Sequence, residues 1–324
     1  MISDRLSAAI LACAISAGTV VTASAQSYPN RAVTLVVPFP AGGGNDALAR
    51  LVAERMSKTL GQQVVVENRG GAGGTVATRA IAKSPPDGHT ILLTYTGTLA
   101  INPTLYSNAG YDPRSDFAPI GSIGTLTSVL VSNPKLPVKS TAELIAYAKA
   151  HPGKINYGFV PGTVGHISTE MFARSAGLKL TNIPYKGNGN AITDLMGGHV
   201  SMMMLSILPV IGQIQAGMLN ALAVASPTRS PLIPNVPTIA ESGVPGFSAV
   251  ISYGLAAPPG TPRSIIERLN KELQVALADE ALRKRLDAEG GQVVTGTPDD
   301  YAKIIDDEEK KWGPLVKSLS LKMD

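Results

Sequence analysis

Short apolar segments alternate with amphipathic segments along almost the whole chain. Six of them are too short for buried helices and are rich in aliphatic residues, so they predict β-strands. These strands are expected at residues 33–37, 64–67, 91–94, 155–157, 200–205 and 221–225. Continuous apolar strands between helices are typical of parallel sheets that helices cover on both faces. The pattern therefore predicts an α/β protein.

The first predicted helix fixes the position of a loop. Residues 46–60 place Leu48, Leu51, Val52 and Met56 on one stripe. Asn45 is positioned to cap the start of this helix and Gly61 follows its end. Residues 41–45 therefore enter a helix N-terminus at the carboxyl end of a strand, which is where open α/β sheets bind ligands.

The same order of strand, loop and helix recurs at residues 157–176. The loop 159–166 leads into a helix that carries Ile167, Met171 and Phe172. The sequence thus predicts two loops, far apart along the chain, that each precede a helix N-terminus. Thr163 is expected to donate its hydroxyl to a ligand or to cap the helix, and His166 to form a hydrogen bond or a cap.

Two glycine-rich turns lie between a strand and a helix, at residues 38–46 (PFPAGGGND) and 70–74 (GGAGG). Such turns present backbone N–H groups to an anion. The nature of the anion depends on where the protein works, which the N-terminus indicates.

The N-terminus is typical of a cleaved export signal. An uncharged run from Ala8 to Val21 is followed by Ala23-Ser24-Ala25, which predicts a signal peptide at residues 1–25 with cleavage after Ala25. A membrane anchor would need a longer run, and a lipoprotein site at Cys13 would leave the site at Ala25 unused. Cys13, the only cysteine, leaves with the signal. Exported proteins rarely meet nucleotides, so a carboxylate is the expected anion.

Charge and length limit the other classes of function. The formal net charge is +4, and the basic residues are scattered, so no nucleic-acid-binding stripe is expected. A chain of 324 residues usually divides into two domains. We expect two lobes joined by extended segments near residues 120–131 and 250–256. Lobe 1 would comprise residues 26–126 plus 252–324, and lobe 2 residues 127–251.

The C-terminal third is predicted to be mainly helical. Thr261 is positioned as a cap and Pro262 as the first residue of a helix that ends near residue 278. Helices at 280–289 and 299–319 follow, separated by a short strand at 292–294.

No motif for catalysis, cofactor or metal is present. Gly71-Ala72-Gly73 lacks the third glycine of a dinucleotide fingerprint, because Val76 stands there, and Gly153-Lys154 follows no phosphate loop. The four histidines have no metal-ligand spacing. His166 and Ser168 are two residues apart on a helix and so face different ways. Residues 202–204 (MMM) are expected in the core. Tyr185 belongs either to a turn before a helix or to a ligand wall.

Several ordered motifs resemble one family over residues 28–317. They are VVPFPAGG at 36–43, VENR at 66–69, PPDGHT at 85–90, AINP at 100–103, IPYKG at 183–187, DLMGG at 194–198, VPT at 236–238 and GLAAP at 254–258. With these motifs the chain resembles the substrate-binding proteins of tripartite tricarboxylate transporters, the Bug-type extracytoplasmic receptors.

The resemblance implies a fold, a ligand and a partner. The fold is a two-lobed, type II-like periplasmic-binding-protein fold with two sheets flanked by helices. A small organic carboxylate would be held between the loops matching 41–46 and 162–166 when the cleft closes. Integral-membrane permease subunits would then receive it. No cofactor is expected, and we expect a monomer in the periplasm.

The sequence departs from many relatives at the expected site. Asn45 stands where many have threonine, Gly70 where many have proline, and Phe159-Val160-Pro161 where a serine- or asparagine-rich turn is common. Leu205 stands where amino-acid-binding relatives place an acidic residue. We therefore expect a ligand without an ammonium group, with an apolar or aromatic body against Phe39, Tyr95 or Phe159.

The complete set of expected ligand-binding residues is spread over both lobes. It is Phe39, Ala41, Gly42, Gly43, Asn45, Asp46, Tyr95, Thr96, Phe159, Gly162, Thr163, His166, Tyr185 and Leu205. Two other readings stay open: a sensor receptor with the same site, and an exported enzyme that uses Asp46 or His166 as a general base.

Overall fold

A computed structural model describes residues 28–42, 44–288 and 290–319. The predicted signal peptide, Cys13 and Gly43 lie outside the described residues. Within the part that is described, no helix is both long enough and apolar enough to cross a membrane.

The first half of a curled sheet is built around β1 (Val33–Val37). This strand lies between β2 (Val64–Asn68) and β3 (Thr90–Tyr95), and both pair with it in parallel. β9 (Val250–Ala257) pairs antiparallel with β3 and with residues 118–127 of the long strand β4 (Ala118–Ser132). The short β10 (Gln292–Val293) also pairs with β4. We call the elements around this half lobe 1.

The second half begins where β4 changes partners. Its residues 128–132 pair antiparallel with β7 (Met202–Ser206) and β8 (Asn220–Val224). β5 (Asn156–Phe159) is parallel to β7 and to β6 (Thr181–Pro184). We call the elements around this half lobe 2. The change of partners between Thr127 and Ser128 supports the expected lobe boundaries, which remain a prediction.

Ten α-helices are described. They are α1 (Gly44–Leu60), α2 (Thr75–Ile81), α3 (Asn102–Leu105), α4 (Thr141–Ala150), α5 (Val164–Ala176), α6 (Asn188–Gly197), α7 (Ile211–Gln215), α8 (Arg263–Leu277), α9 (Glu280–Ala288) and α10 (Pro298–Ser318). A 3₁₀ turn (Ala72–Gly74) precedes α2, a π-helical turn (Gly97–Ile101) precedes α3, and a 3₁₀ turn (Leu208–Val210) precedes α7.

The predicted strands all exist, but the expectation of parallel sheets is only partly correct. The groups β1, β2, β3 and β5, β6, β7 are parallel, whereas β4 and β9 pair antiparallel with their neighbours. An apolar run indicates that both faces of a strand are covered, but it does not indicate whether the strand is parallel or antiparallel to its neighbours. The segments predicted to join the lobes lie in the extended strands β4 and β9, and their role as connections stays a prediction.

The apolar stripe of α1 packs into the core. Leu48, Val52 and Met56 are buried, and Gly61 ends the helix at a φ of +73°. Two predicted caps are wrong. Asn45 lies inside the helix, and Thr261 donates its hydroxyl to the carbonyl of Pro258 while Pro262 occupies the cap position of α8.

Candidate functional site

The first glycine turn, residues 38–46, connects the carboxyl end of β1 to the start of α1. Ala41 and Gly42 are exposed, and Gly42 has a φ of +86°, a conformation that favours glycine. The Gly42 N–H donates to Asp46 Oδ2 at 2.9 Å. One N–H that the sequence assigned to a ligand is thus used by the protein itself.

Asp46 is the negative charge of this turn, and Arg50 neutralises it. Its side chain is 8% exposed, and Arg50 Nε lies 3.0 Å from Oδ1 and 3.1 Å from Oδ2. Although burial raises the pKa of Asp46, the hydrogen bonds from Arg50 and from the Gly42 N–H outweigh burial and lower it below its ordinary value. Asp46 is therefore an ionised, paired carboxylate, which is unsuited to act as a general base.

The second glycine turn, residues 70–74, packs directly behind the first. A Cβ atom at Gly70 would lie 3.0 Å from Pro40 Cδ. The Gly73 carbonyl accepts hydrogen bonds from Asn102 Nδ2 at 2.8 Å and from the Tyr95 hydroxyl at 3.1 Å. The Gly73 carbonyl of this turn therefore points towards Tyr95.

Three aromatic rings line the region between β1, β3 and β9. Phe39 meets Tyr95 edge to face at 5.0 Å, and Tyr95 stacks on Tyr253 at 6.3 Å. Tyr95 and Tyr253 are each 4% exposed. The buried Thr96 Oγ1 accepts a hydrogen bond from the Ser252 N–H at 2.8 Å, so it joins the end of β3 to β9. We call Phe39, Tyr95 and Tyr253 the aromatic cluster.

The lobe-2 loop, residues 160–163, connects β5 to α5. Phe159 ends the strand, and Gly162 has a φ of +75°. Thr163 Oγ1 accepts from the His166 N–H at 3.3 Å and donates to the Val160 carbonyl at 2.8 Å. The hydroxyl thus caps α5, and the alternative that it donates to a ligand is disfavoured because its one proton is already used.

His166 lies in the first turn of α5 and stacks on Phe159 with 4.2 Å between ring centroids. It is 2% exposed, and burial lowers its pKa to about 4, so the imidazole is neutral at pH 7. Its Nδ1 and the hydroxyl of Ser168 are buried without hydrogen-bond partners. The two side chains therefore form no nucleophile–base pair.

The two lobes touch at Gly162. The Tyr95 hydroxyl lies 3.4 Å from the Gly162 carbonyl, so it shares its one proton between this carbonyl and that of Gly73. A Cβ atom at Gly162 would lie 3.1 Å from Asn102 Oδ1 and 3.1 Å from Tyr106 Oη. Tyr95, Asn102 and Tyr106 therefore surround the tip of the lobe-2 loop, and we call them the polar socket.

Tyr185 and Leu205 are the two remaining expected site residues of lobe 2. The Tyr185 hydroxyl donates to Asp194 Oδ2 at 2.6 Å, which ties the end of β6 to α6. The pKa of Tyr185 is raised to about 12, mainly by burial and also by this hydrogen bond. Leu205 is buried in β7, and its Cα would lie 3.8 Å from a Cβ atom at Gly165. The methionines at 202–204 are core residues, as expected.

The structure therefore brings together some residues that were predicted from the sequence and others that were not. Phe39, Tyr95 and Gly162 are linked by direct contacts, as are Asn45 and Tyr253, and Thr163 and His166 start the adjacent helix. Tyr253, Asn102 and Tyr106 were missed. The motif AINP contains Asn102, but nothing local indicates that its side chain reaches the second glycine turn. In the described residues, no group of three or more His, Cys, Asp or Glu side chains could hold a metal ion.

Comparison with known proteins identifies the class. Residues 48–321 match the tripartite tricarboxylate transporter family receptor. BugT of Bordetella pertussis is 39% identical over 321 residues, covering 98% of each chain. The Rhodopseudomonas palustris protein Rpa4515, solved with adipate, superposes with a TM-score of 0.85 at 36% identity, covering 91% of this chain and 99% of that one. MatC from the same organism, with bound malate, gives a TM-score of 0.82 at 34% identity, covering 89% and 100%. The predicted resemblance and the two-lobed α/β fold are confirmed.

Proposed function

The chain belongs to the tripartite tricarboxylate transporter receptor family, and we propose that it captures a small organic carboxylate without an ammonium group and delivers it to a membrane permease. The family is one of solute-binding receptors and not of enzymes. The observation that carries the proposal is the contact between Tyr95 and Gly162. It joins the aromatic cluster beside the first glycine turn to the loop that starts α5.

The site would bind an anion with helix termini and neutral donors. The first glycine turn starts α1 and the lobe-2 loop starts α5, so two positive helix ends belong to different lobes. A carboxylate near such an end gains roughly 0.3–1 kcal/mol, and up to about 2 kcal/mol when it is partly buried. Because Asp46 is paired with Arg50, the turn itself adds no uncompensated negative charge.

Closure would form the complete site. Each lobe supplies one loop, and an anion that contacts both loops stabilises the closed arrangement relative to the open one. The polar socket would then hold the lobe-2 loop in place. No covalent bond is made or broken in this process.

The chemistry of lobe 2 supports a ligand that lacks an ammonium group. Leu205 is apolar, and His166 is neutral beside the ring of Phe159. Neither group compensates a positive charge. The adipate and malate bound by the two R. palustris relatives are likewise dicarboxylic acids without an amino group. Delivery to a permease, and export after cleavage at Ala25, are proposed from the family and from the signal pattern.

The test is a ligand screen on the mature chain, residues 26–324, refolded to remove any carried ligand. Adipate, malate, succinate, citrate, benzoate, aspartate and glutamate are compared by thermal shift and then by calorimetry. A ligand at 100 times its dissociation constant adds about 2.7 kcal/mol of stability, which raises the melting temperature by a few degrees. A selective shift by a carboxylic acid without an amino group supports the proposal. If aspartate or glutamate binds more tightly than every acid without an amino group, the proposed ligand class is wrong. If the protein converts a bound acid into a product, the proposal of a receptor is wrong.

Delivery is tested in cells. Deleting the gene should abolish uptake of the radiolabelled acid that the screen identifies, and a plasmid copy should restore it. Unchanged uptake in the deletion strain, together with tight binding by the purified protein, would favour the sensor role.

A further inference from the structure

One contact links the first glycine turn to the strand that connects the lobes. The Tyr253 hydroxyl donates to Asn45 Oδ1 at 2.6 Å, across 208 positions of sequence. Tyr253 is buried, and its ring stacks on Tyr95, so the hydroxyl is held in one place. A short bond from a fixed donor orients the planar amide of Asn45.

This orientation determines what Asn45 offers to a ligand. The amide has an acceptor oxygen at one end and a nitrogen with two N–H donors at the other. The oxygen is occupied by Tyr253, whereas the described structure gives no hydrogen bond from Nδ2 to a protein acceptor. Asn45 is partly exposed and lies in the first turn of α1, where the helix favours negative charge.

Two of the donors around the turn bind groups of the protein itself. The Gly42 N–H and Arg50 Nε both bind Asp46, and Arg50 Nη2 donates to Asn68 Oδ1 at 3.3 Å. Of the side chains that the structure describes between Phe39 and Asp46, Asn45 is the one that carries N–H donors.

On the basis of the proposed function, we infer that Asn45 is a specificity-determining residue that donates from Nδ2 to the ligand carboxylate, and that Tyr253 is its positioning residue. The pair recognises an anionic oxygen with a neutral donor. A threonine at this position would offer one hydroxyl proton in place of two amide protons.

The decisive variant is Asn45→Asp. The aspartate keeps an oxygen acceptor for the Tyr253 hydroxyl, and a negative charge in the first turn of α1 favours the helix. The fold should therefore be retained, with a melting temperature without ligand within a few degrees of the wild type. The N–H donors, however, are replaced by a second anionic oxygen that faces the ligand. The dissociation constant for the carboxylate found in the screen should rise at least 30-fold.

A matched control is Asn190→Asp. Asn190 is exposed and lies in the first turn of α6, so the change adds the same charge to the first turn of another helix. Its affinity for the carboxylate should remain within twofold of the wild type.

The positioning role is tested by Tyr253→Phe in a double-mutant cycle with Asn45→Ala. Phenylalanine keeps the ring that stacks on Tyr95 and removes only the hydroxyl, so we expect a 3- to 10-fold weaker affinity. In the Asn45→Ala background the same change should have almost no further effect, because the group that Tyr253 orients is gone. Additive losses would show that Tyr253 acts independently of Asn45.

The outcomes separate the two proposals. If the wild type binds no carboxylate, the proposed function has failed. If the wild type binds one and Asn45→Asp binds it within threefold, Asn45 is not the donor and this inference is wrong. Should Asn45→Asp lose its cooperative melting transition, the cycle decides by itself, since unchanged affinity in Tyr253→Phe contradicts the pair.

Discussion

The hydroxyl of Tyr95 lies 3.4 Å from the carbonyl oxygen of Gly162 and shares its one proton between this carbonyl and that of Gly73, which joins β3 of lobe 1 to the lobe-2 loop. The same hydroxyl lies 3.1 Å from the Gly73 carbonyl in the second glycine turn. One buried O–H group thus contacts both lobes, so this arrangement of the lobes has a polar contact that needs no ligand.

Tyr95→Phe should shift the protein towards an open form. The ring keeps its contacts with Phe39 and Tyr253, while the two carbonyls lose the one proton that they share, a loss worth about 0.5–1.5 kcal/mol for one typical hydrogen bond. Single-molecule energy transfer between dyes on the two lobes should show a larger mean separation without ligand. The control is Tyr111→Phe, whose hydroxyl binds the Thr98 carbonyl within lobe 1. If the mean separation of the dyes is unchanged in Tyr95→Phe, the Tyr95 hydroxyl does not help to hold the lobes together.

Gly162→Ala should oppose closure more strongly than the same change at Gly153. Both glycines have a φ of +75°, so both substitutions meet the same backbone penalty of about 1–2 kcal/mol. A Cβ atom at Gly162 would also press on Asn102 and Tyr106, whereas one at Gly153 meets nothing within 4 Å. Calorimetry should find weaker ligand binding in Gly162→Ala and near wild-type binding in Gly153→Ala. Equal affinities in the two variants would contradict the polar socket.

His166 should make the folded state sensitive to acid. Its pKa is lowered by burial from an ordinary value near 6.5 to about 4 in the folded protein. The unfolded chain therefore binds a proton between these values that the folded chain does not bind, and the free energy of unfolding falls as the pH decreases through this window. The loss should reach about 3 kcal/mol near pH 4.

Urea unfolding at pH 7 and at pH 4.5 measures this effect against His166→Gln. Other titrating groups are common to both proteins, so the wild type should lose more stability on acidification than the variant. His151→Gln, at an exposed histidine, should behave as the wild type does. Parallel acid losses in the wild type and in His166→Gln would mean that the folded imidazole accepts a proton at its ordinary pKa.

Gly165→Ala should destabilise the protein through a close approach of α5 to β7. An added Cβ atom would lie 2.2 Å from the Met204 carbonyl oxygen, so the helix or the strand must move. Overpacking of this kind costs about 1–3 kcal/mol. Gly189→Ala is the matched control, because it lies in the first turn of α6 with nothing within 4 Å of the new atom. If both variants have a similar free energy of unfolding, α5 and β7 can move apart without loss of stability.

The local elements of this fold were readable because their signals lie within a few residues. The stripe of Leu48, Val52 and Met56 predicted α1, and apolar runs predicted β1 and β7 to within a few residues. The caps were less readable. Asn45 and Thr261 have the side chains of caps, but Asn45 Oδ1 accepts from the distant Tyr253 hydroxyl, and Thr261 donates its hydroxyl to the nearby Pro258 carbonyl. A capping residue is chosen by local competition between hydrogen bonds, and a tertiary partner can decide that competition.

The sequence by itself determined the alternation of strands and helices, the two loops that precede helix N-termini, and the family, because periodicity and motifs are encoded in neighbouring positions. The tertiary structure decided which polar groups of those loops are free. Asp46 takes the Gly42 N–H, Thr163 caps α5, and Tyr253 orients Asn45 from 208 positions away. Hydrogen bonds between distant segments leave no local pattern, so only the folded chain shows which donors remain for a ligand.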